Sequence, residues 1–153
     1  MKARVLRLAL LAAALPLLRA EDKPPPALVQ MAPLKNWAMQ LRTDEGYPSL
    51  TLRGTEVHPI TVNHIDIVDL NMTVFSGTPA AEIDTSVLSP AASYFPREQR
   101  VSGPGEVRML DYRHGLEVTG EQWTYTYGPH WKKISIAKHA HVVLTAPVSN
   151  PSP

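Results

Sequence analysis

Short runs of alternating apolar and polar residues recur along this chain, and two of them change parity partway. In "HIDIVDLNMTVFSG", Ile65 and Ile67 fall on odd positions, while Leu70, Met72 and Val74 fall on even ones. In "HGLEVTGEQWTYTY", Leu116 and Val118 are even, whereas Trp123, Tyr125 and Tyr127 are odd. Neighbouring side chains on a strand face opposite sides, so each run keeps one apolar face only through a one-residue slip. A β-bulge near Val68 and Asp69, and a bulge or tight turn around Gly120, would supply it.

The remaining runs have the same character. "WAMQLRT" alternates Trp37, Met39 and Leu41 with polar residues, and "PSLTLRG" offers Leu50 and Leu52. "EIDTSVL", "EQRVSG", "GEVRML" and "KKISIAKHAHVVL", the last with Ile134 and Ile136, each read as a strand, while "SGTP" and "VSGPG" read as turns. No convincing amphipathic helix is present. Strands at intervals of roughly ten residues, separated by turn signals, predict an antiparallel all-β sandwich, jelly roll or incomplete barrel. A loose repeat aligns Val87 with Val118, Tyr94 with Tyr125, Val101 with Ile134 and Val107 with Val142.

The ends differ from this interior. Lys2, Arg4 and Arg7 precede an uncharged run from Leu8 to Leu18, and Ala20 stands before Glu21. That layout predicts a cleaved secretory signal peptide over 1–20, the apolar run being too short to span a bilayer. Residues 21–33, with three consecutive prolines, read as a linker, 34–146 as the β-domain, and 147–153 as a disordered tail. Without the leader, 11 Lys and Arg stand against 14 Asp and Glu, a net −3, which argues against nucleic acid as a partner. The absence of cysteine excludes disulfides and thiolate metal sites. Asn71, Met72 and Thr73 form an Asn-x-Thr sequon.

Catalytic chemistry finds little purchase. Of the six histidines, His58, His64, His114, His130, His139 and His141, the pair His139 and His141 shares a strand face and with His130 or His114 would suit a metal. No carboxylate cluster stands nearby in sequence to orient the rings, and a solvated polar face beside Lys138 accounts for them equally. The serines in "FSGTP" and "VSGPG" lack the setting of a nucleophile, and the pairs Asp66 with Asp69 and Glu82 with Asp84 read as outward-facing polar positions. The chain reads as a non-enzyme that needs no cofactor. Its abundant feature is rows of long apolar side chains, which an unclosed β-structure leaves accessible to an apolar ligand.

The stretch from Gly105 to Leu144, with Gly115, Thr119, Gly120, Glu121, Trp123 and Tyr125 in the order G-x-x-x-T-G-E-x-W-x-Y, resembles the repeating unit of the lipopolysaccharide-transport periplasmic proteins of the OstA, LptA and LptC type. "LRGTEVHPIT" and "DTSVLSPAASYFPREQRVSGPGEV" resemble more divergent copies of the same unit. The resemblance implies a twisted β-jelly roll with an apolar interior that carries lipopolysaccharide acyl chains towards the outer membrane. It also implies a periplasmic location and edge-strand pairing with other proteins of the transport bridge, self-association included. The heavy proline content and the lack of a retained membrane helix depart from the family pattern. On this reading Leu50, Leu52, Ile65, Ile67, Leu70, Met72, Val74, Leu116, Val118, Trp123, Tyr125, Ile134 and Ile136 line core and groove. Two alternatives stand beside it: an adaptor that binds only protein through an exposed strand edge, and a metal-dependent hydrolase built on His139 and His141.

Overall fold

The computed structural model of the chain describes residues 32–129 and 131–145. The expected leader, most of the linker, the tail and His130 lie outside the described residues. Seven strands make up one antiparallel sheet in sequence order: β1 (Leu34–Arg42), β2 (Pro48–Thr61), β3 (His64–Phe75), β4 (Ile83–Phe95), β5 (Arg100–Asp111), β6 (Leu116–Tyr127) and β7 (Lys132–Leu144). Among the described residues the sheet does not close: β1 pairs only with β2, and β7 only with β6. The expected all-β class holds, in the form of a single open sheet. A 3-10 turn at Pro96–Glu98 links β4 to β5.

A lone sheet buries a face only if something covers it. Here no α-helix is present among the described residues, yet Leu52, Met72, Val87 and Val101 have no exposed surface. The sheet therefore covers itself by bending across all its strands. Asn36, Asp69, Gln122 and His139 stand mid-strand at positive φ, and register shifts occur between Leu88 and Ser93, Gly103 and Glu106, and Thr119 and Glu121. These positions mark a bend line that turns each long strand into two segments.

The bend separates two halves, each with its own inner face. In the first, which we call the methionine half, one lateral row runs Met39, Leu52, Met72, Val87, Met109, Val118 and Val142 across all seven strands. In the second, the tyrosine half, a row runs Pro59, Ile65, Tyr94, Val101, Tyr125 and Ile134. Residues of both rows belong to one core. The parity slips in the sequence are this bend: Asp69, at φ 52°, separates Ile65 and Ile67 from Leu70, Met72 and Val74. Gln122, at φ 54°, likewise separates Val118 from Trp123 and Tyr125, and no tight turn interrupts β6.

Bending also explains three differences from the expected strand list. "EQRVSG" and "GEVRML" are one strand, β5, and "VSGPG" lies inside it as an irregular bulge. Pro90 lies within β4 at the bend, where the ladder to β5 is interrupted and the missing N–H costs little. The strands are 9 to 14 residues long, so the ten-residue spacing counted half-strands. The 31-residue offset spans two strands. It puts Val87 and Val118 in one row and Tyr94 and Tyr125 in the other, whereas Val107 pairs with Gly120 and is not equivalent to Val142.

Candidate functional site

The thirteen residues expected to line core and groove all lie on β2, β3, β6 and β7, and they separate by burial. Leu50, Leu52, Ile67, Leu70, Met72, Val74, Trp123 and Tyr125 are buried in the core, whereas Ile65, Leu116, Val118, Ile134 and Ile136 are half-buried. The middle of the sheet is packed solid, with Val57, Ala92, Val107 and Met109 completing it. Four of the five half-buried residues belong to β6 and β7.

There the inner face runs out into solvent. Val142 pairs with Val118, and Leu144 with Leu116, so both face inward, yet they are 59% and 69% exposed. Among the described residues no strand lies beyond β7 to cover them. At the opposite edge the inner row ends on half-buried Met39 and Leu41, with Leu34 exposed. Lysines punctuate these edges: Lys35 on β1, which pairs with Glu56, and Lys132, Lys133 and Lys138 on β7.

Opposite the bend the two halves meet at a lateral mouth. Lys132 sits directly across from Tyr127 on the tyrosine half and extends its ammonium to the methionine half. It donates to the Phe75 carbonyl at 2.9 Å and to Asp84 Oδ2 at 3.1 Å. Asp84 Oδ1 also accepts from Arg113 at 3.3 Å, so one carboxylate serves two cations. Behind this clasp the Tyr94 and Tyr127 hydroxyls share a hydrogen bond of 3.1 Å. The Tyr125 hydroxyl is buried without a partner. Burial holds the Tyr125 hydroxyl proton well above the usual phenol range, with the Asp84 charge adding to it. The same burial, with the Tyr94 hydrogen bond behind it, acts on Tyr127.

Polar side chains also group on the outer surface. His64 Nε2 and the Ser93 hydroxyl both reach Asp66 Oδ1, at 2.8 and 2.6 Å. Asp66 thus stands between imidazole and hydroxyl, an arrangement that ties β3 to β4; a serine nucleophile instead needs the imidazole next to its hydroxyl. An open groove of about 760 Å³ follows the outside of the bend past Asp69, Pro90, Glu106 and Glu121. His139 Nδ1 lies 3.2 Å from Glu121 Oε1, but no group of three or more metal-ligating side chains converges among the described residues.

Sequence reasoning did not find the clasp or the role of Tyr127. Lys132 reads as one of many polar strand residues, and its link to Asp84, 48 positions away, follows only from the folding-over of the sheet. The core contribution of β4 and β5 was equally obscured. Ser89 and Ala92 flank the bend there with small side chains that give no apolar alternation. Comparison of the chain with known protein families and with curated proteins finds no match to either.

Proposed function

We propose that the chain is an exported, non-enzymatic lipid-handling protein, which takes acyl chains of lipopolysaccharide or a related lipid against its inner apolar face and passes them along a periplasmic route. The observation that carries this reading is the continuation of the inner rows to unpaired edges, ending on exposed Val142 and Leu144. A closed core would end such rows under cover, because burying apolar area stabilises by roughly 25 cal/mol per Å². The ligand path on this reading lies at the β6–β7 end, between Val118 and Leu116 on one side and Ile134 and Ile136 on the other. The solid middle of the sheet serves as its floor.

The unpaired edges serve as docking strands for neighbouring proteins of the same route. Lysines on an edge discourage strand addition by a like-charged partner. With Lys35 and Arg42 on β1 and three lysines on β7, a partner edge carrying carboxylates fits better than a second copy. The leader-like start of the chain, at 1–20, supports an exported location.

Photo-crosslinking tests the reading. A benzophenone side chain at Ile134 or Val118 is expected to form adducts with lipopolysaccharide, whereas one at Ser135, which faces the other side of β7, is not. Equal adduct yields at Ile134 and Ser135 would contradict it.

A further inference from the structure

We propose that the Tyr125 hydroxyl and the Lys132 ammonium, at the lateral mouth, together receive the anionic oxygen head of an acyl ligand that opens the Lys132–Asp84 clasp. The inference rests on the lipid reading above and specifies the chemistry at one end of the ligand.

Three observations carry it. The Tyr125 hydroxyl is the one buried side-chain polar group among the described residues left without a partner, on a residue only 3% exposed. Buried hydroxyls are ordinarily satisfied, and each one left alone is costly, so an acceptor that reaches this group would relieve that cost. Next, the cations at the mouth exceed the anions that hold them: Asp84 takes both Lys132 and Arg113. An entering anion can take over Lys132 while Asp84 keeps Arg113, so no cation is left without a counter-charge. Finally, the position is right for an amphiphile. Tyr125 pairs with Ile134, and Lys132 with Tyr127, so the polar groups stand immediately beside the half-buried apolar residues of β7. A head at the mouth leaves its tail running over Ile134 and Ile136 towards Val142.

The chemistry selects the class of head. A phenol and an ammonium both donate, and together they suit a carboxylate or a phosphate oxygen better than an uncharged hydroxyl or ester. Entry breaks the Lys132–Asp84 link, in which the lysine is exposed and the half-buried Asp84 keeps Arg113 as its second cation.

The test is calorimetric titration of the full chain with dodecyl phosphate, dodecanoate, dodecanol and inorganic phosphate, each below any micelle threshold. Dodecyl phosphate and dodecanoate are expected to bind at least tenfold more tightly than dodecanol, and inorganic phosphate alone not measurably. Lys132→Gln is expected to abolish the preference for the charged heads. Tyr125→Phe is expected to weaken them about fivefold to tenfold, the value of one hydrogen bond, while the unliganded protein keeps or gains thermal stability. Asp84→Asn, which frees Lys132, is expected to tighten them. Equal binding of all three dodecyl compounds would overturn the head subsite and leave the apolar path standing. Binding of none would overturn both. Inorganic phosphate binding as tightly as dodecyl phosphate would overturn the proposal by revealing a free-anion site with no part for the tail.

Discussion

The Trp123 indole donates its N–H to the Ser89 hydroxyl at 3.2 Å, joining the two halves of the bent sheet at the bend itself. Ser89 in turn donates to the Glu106 carbonyl at 2.6 Å, so one hydroxyl serves both the buried indole and the irregular bulge of β5. Ser89→Ala leaves the indole N–H and that carbonyl without their partner. It is expected to cost about 1–3 kcal/mol, the penalty of an orphaned buried polar group. Urea unfolding reads this as a lowered midpoint; an unchanged midpoint would show that the indole bond contributes nothing.

Two glycines are expected to respond in opposite ways. A β-carbon on Gly120 would meet the Ile136 side chain and stand 2.9 Å from the Lys138 carbonyl, whereas one on Gly105 meets nothing within 4 Å. Gly120→Ala is expected to lose about 1–3 kcal/mol through overpacking. Gly105→Ala is expected to be neutral or slightly stabilising, because it restricts only the unfolded chain. A matched pair of thermal melts separates them, and equal shifts would contradict close strand approach at Gly120.

The left-handed residues at the bend make a third prediction. Gln122 holds φ 54° on an exposed position, a conformation glycine adopts without penalty. Gln122→Gly is therefore expected to retain stability or gain up to about 1 kcal/mol, the reverse of what glycine does inside a regular strand. A loss of more than that on chemical denaturation would mean that the side chain itself holds the bend.

Alkali tests the buried tyrosines. The folded state holds the protons of Tyr125 and Tyr127 above the phenol range, while the unfolded chain releases them near pH 10. Above that pH the unfolded state binds fewer protons, so stability falls as pH rises and is fully present below it. For buried Tyr125 the slope is roughly 1.4 kcal/mol per pH unit at most. Tyr125→Phe is expected to show a shallower alkaline decline between pH 10 and 12, and an unaltered decline would place the Tyr125 hydroxyl in water.

How much of this could be read from the chain depended on where the bend falls. In β3 and β6 long apolar side chains flank it, and the change of parity from Ile67 to Leu70, and from Val118 to Trp123, announced a slip in each. β6 makes it with the expected register shift, whereas β3 has no bulge there and keeps its register with β2 and β4 through Asp69, turning at its positive φ. In β4 and β5 the bend is built from Ser89, Pro90, Ala91, Pro104 and Gly105, residues that ordinarily signal turns, so one strand read as two. Pro90 and Pro104 are tolerated because the ladder between β4 and β5 opens there. The site divided in the same way. Alternation located the inner face correctly, but whether an inward residue is covered depends on its distance from an edge, which no local pattern carries. Leu52 and Val142 share one row, one without exposed surface and the other more than half exposed.

The central claim, that the inner face at β6 and β7 receives an acyl chain, is most directly tested by native mass spectrometry of the protein mixed with lipopolysaccharide. The expected result is a bound-lipid mass that disappears in Ile134→Asp and Val118→Asp, and persists when an aspartate replaces outward-facing Ser135. A mass without lipid at high lipid excess, from protein whose cooperative unfolding is intact, would contradict the account.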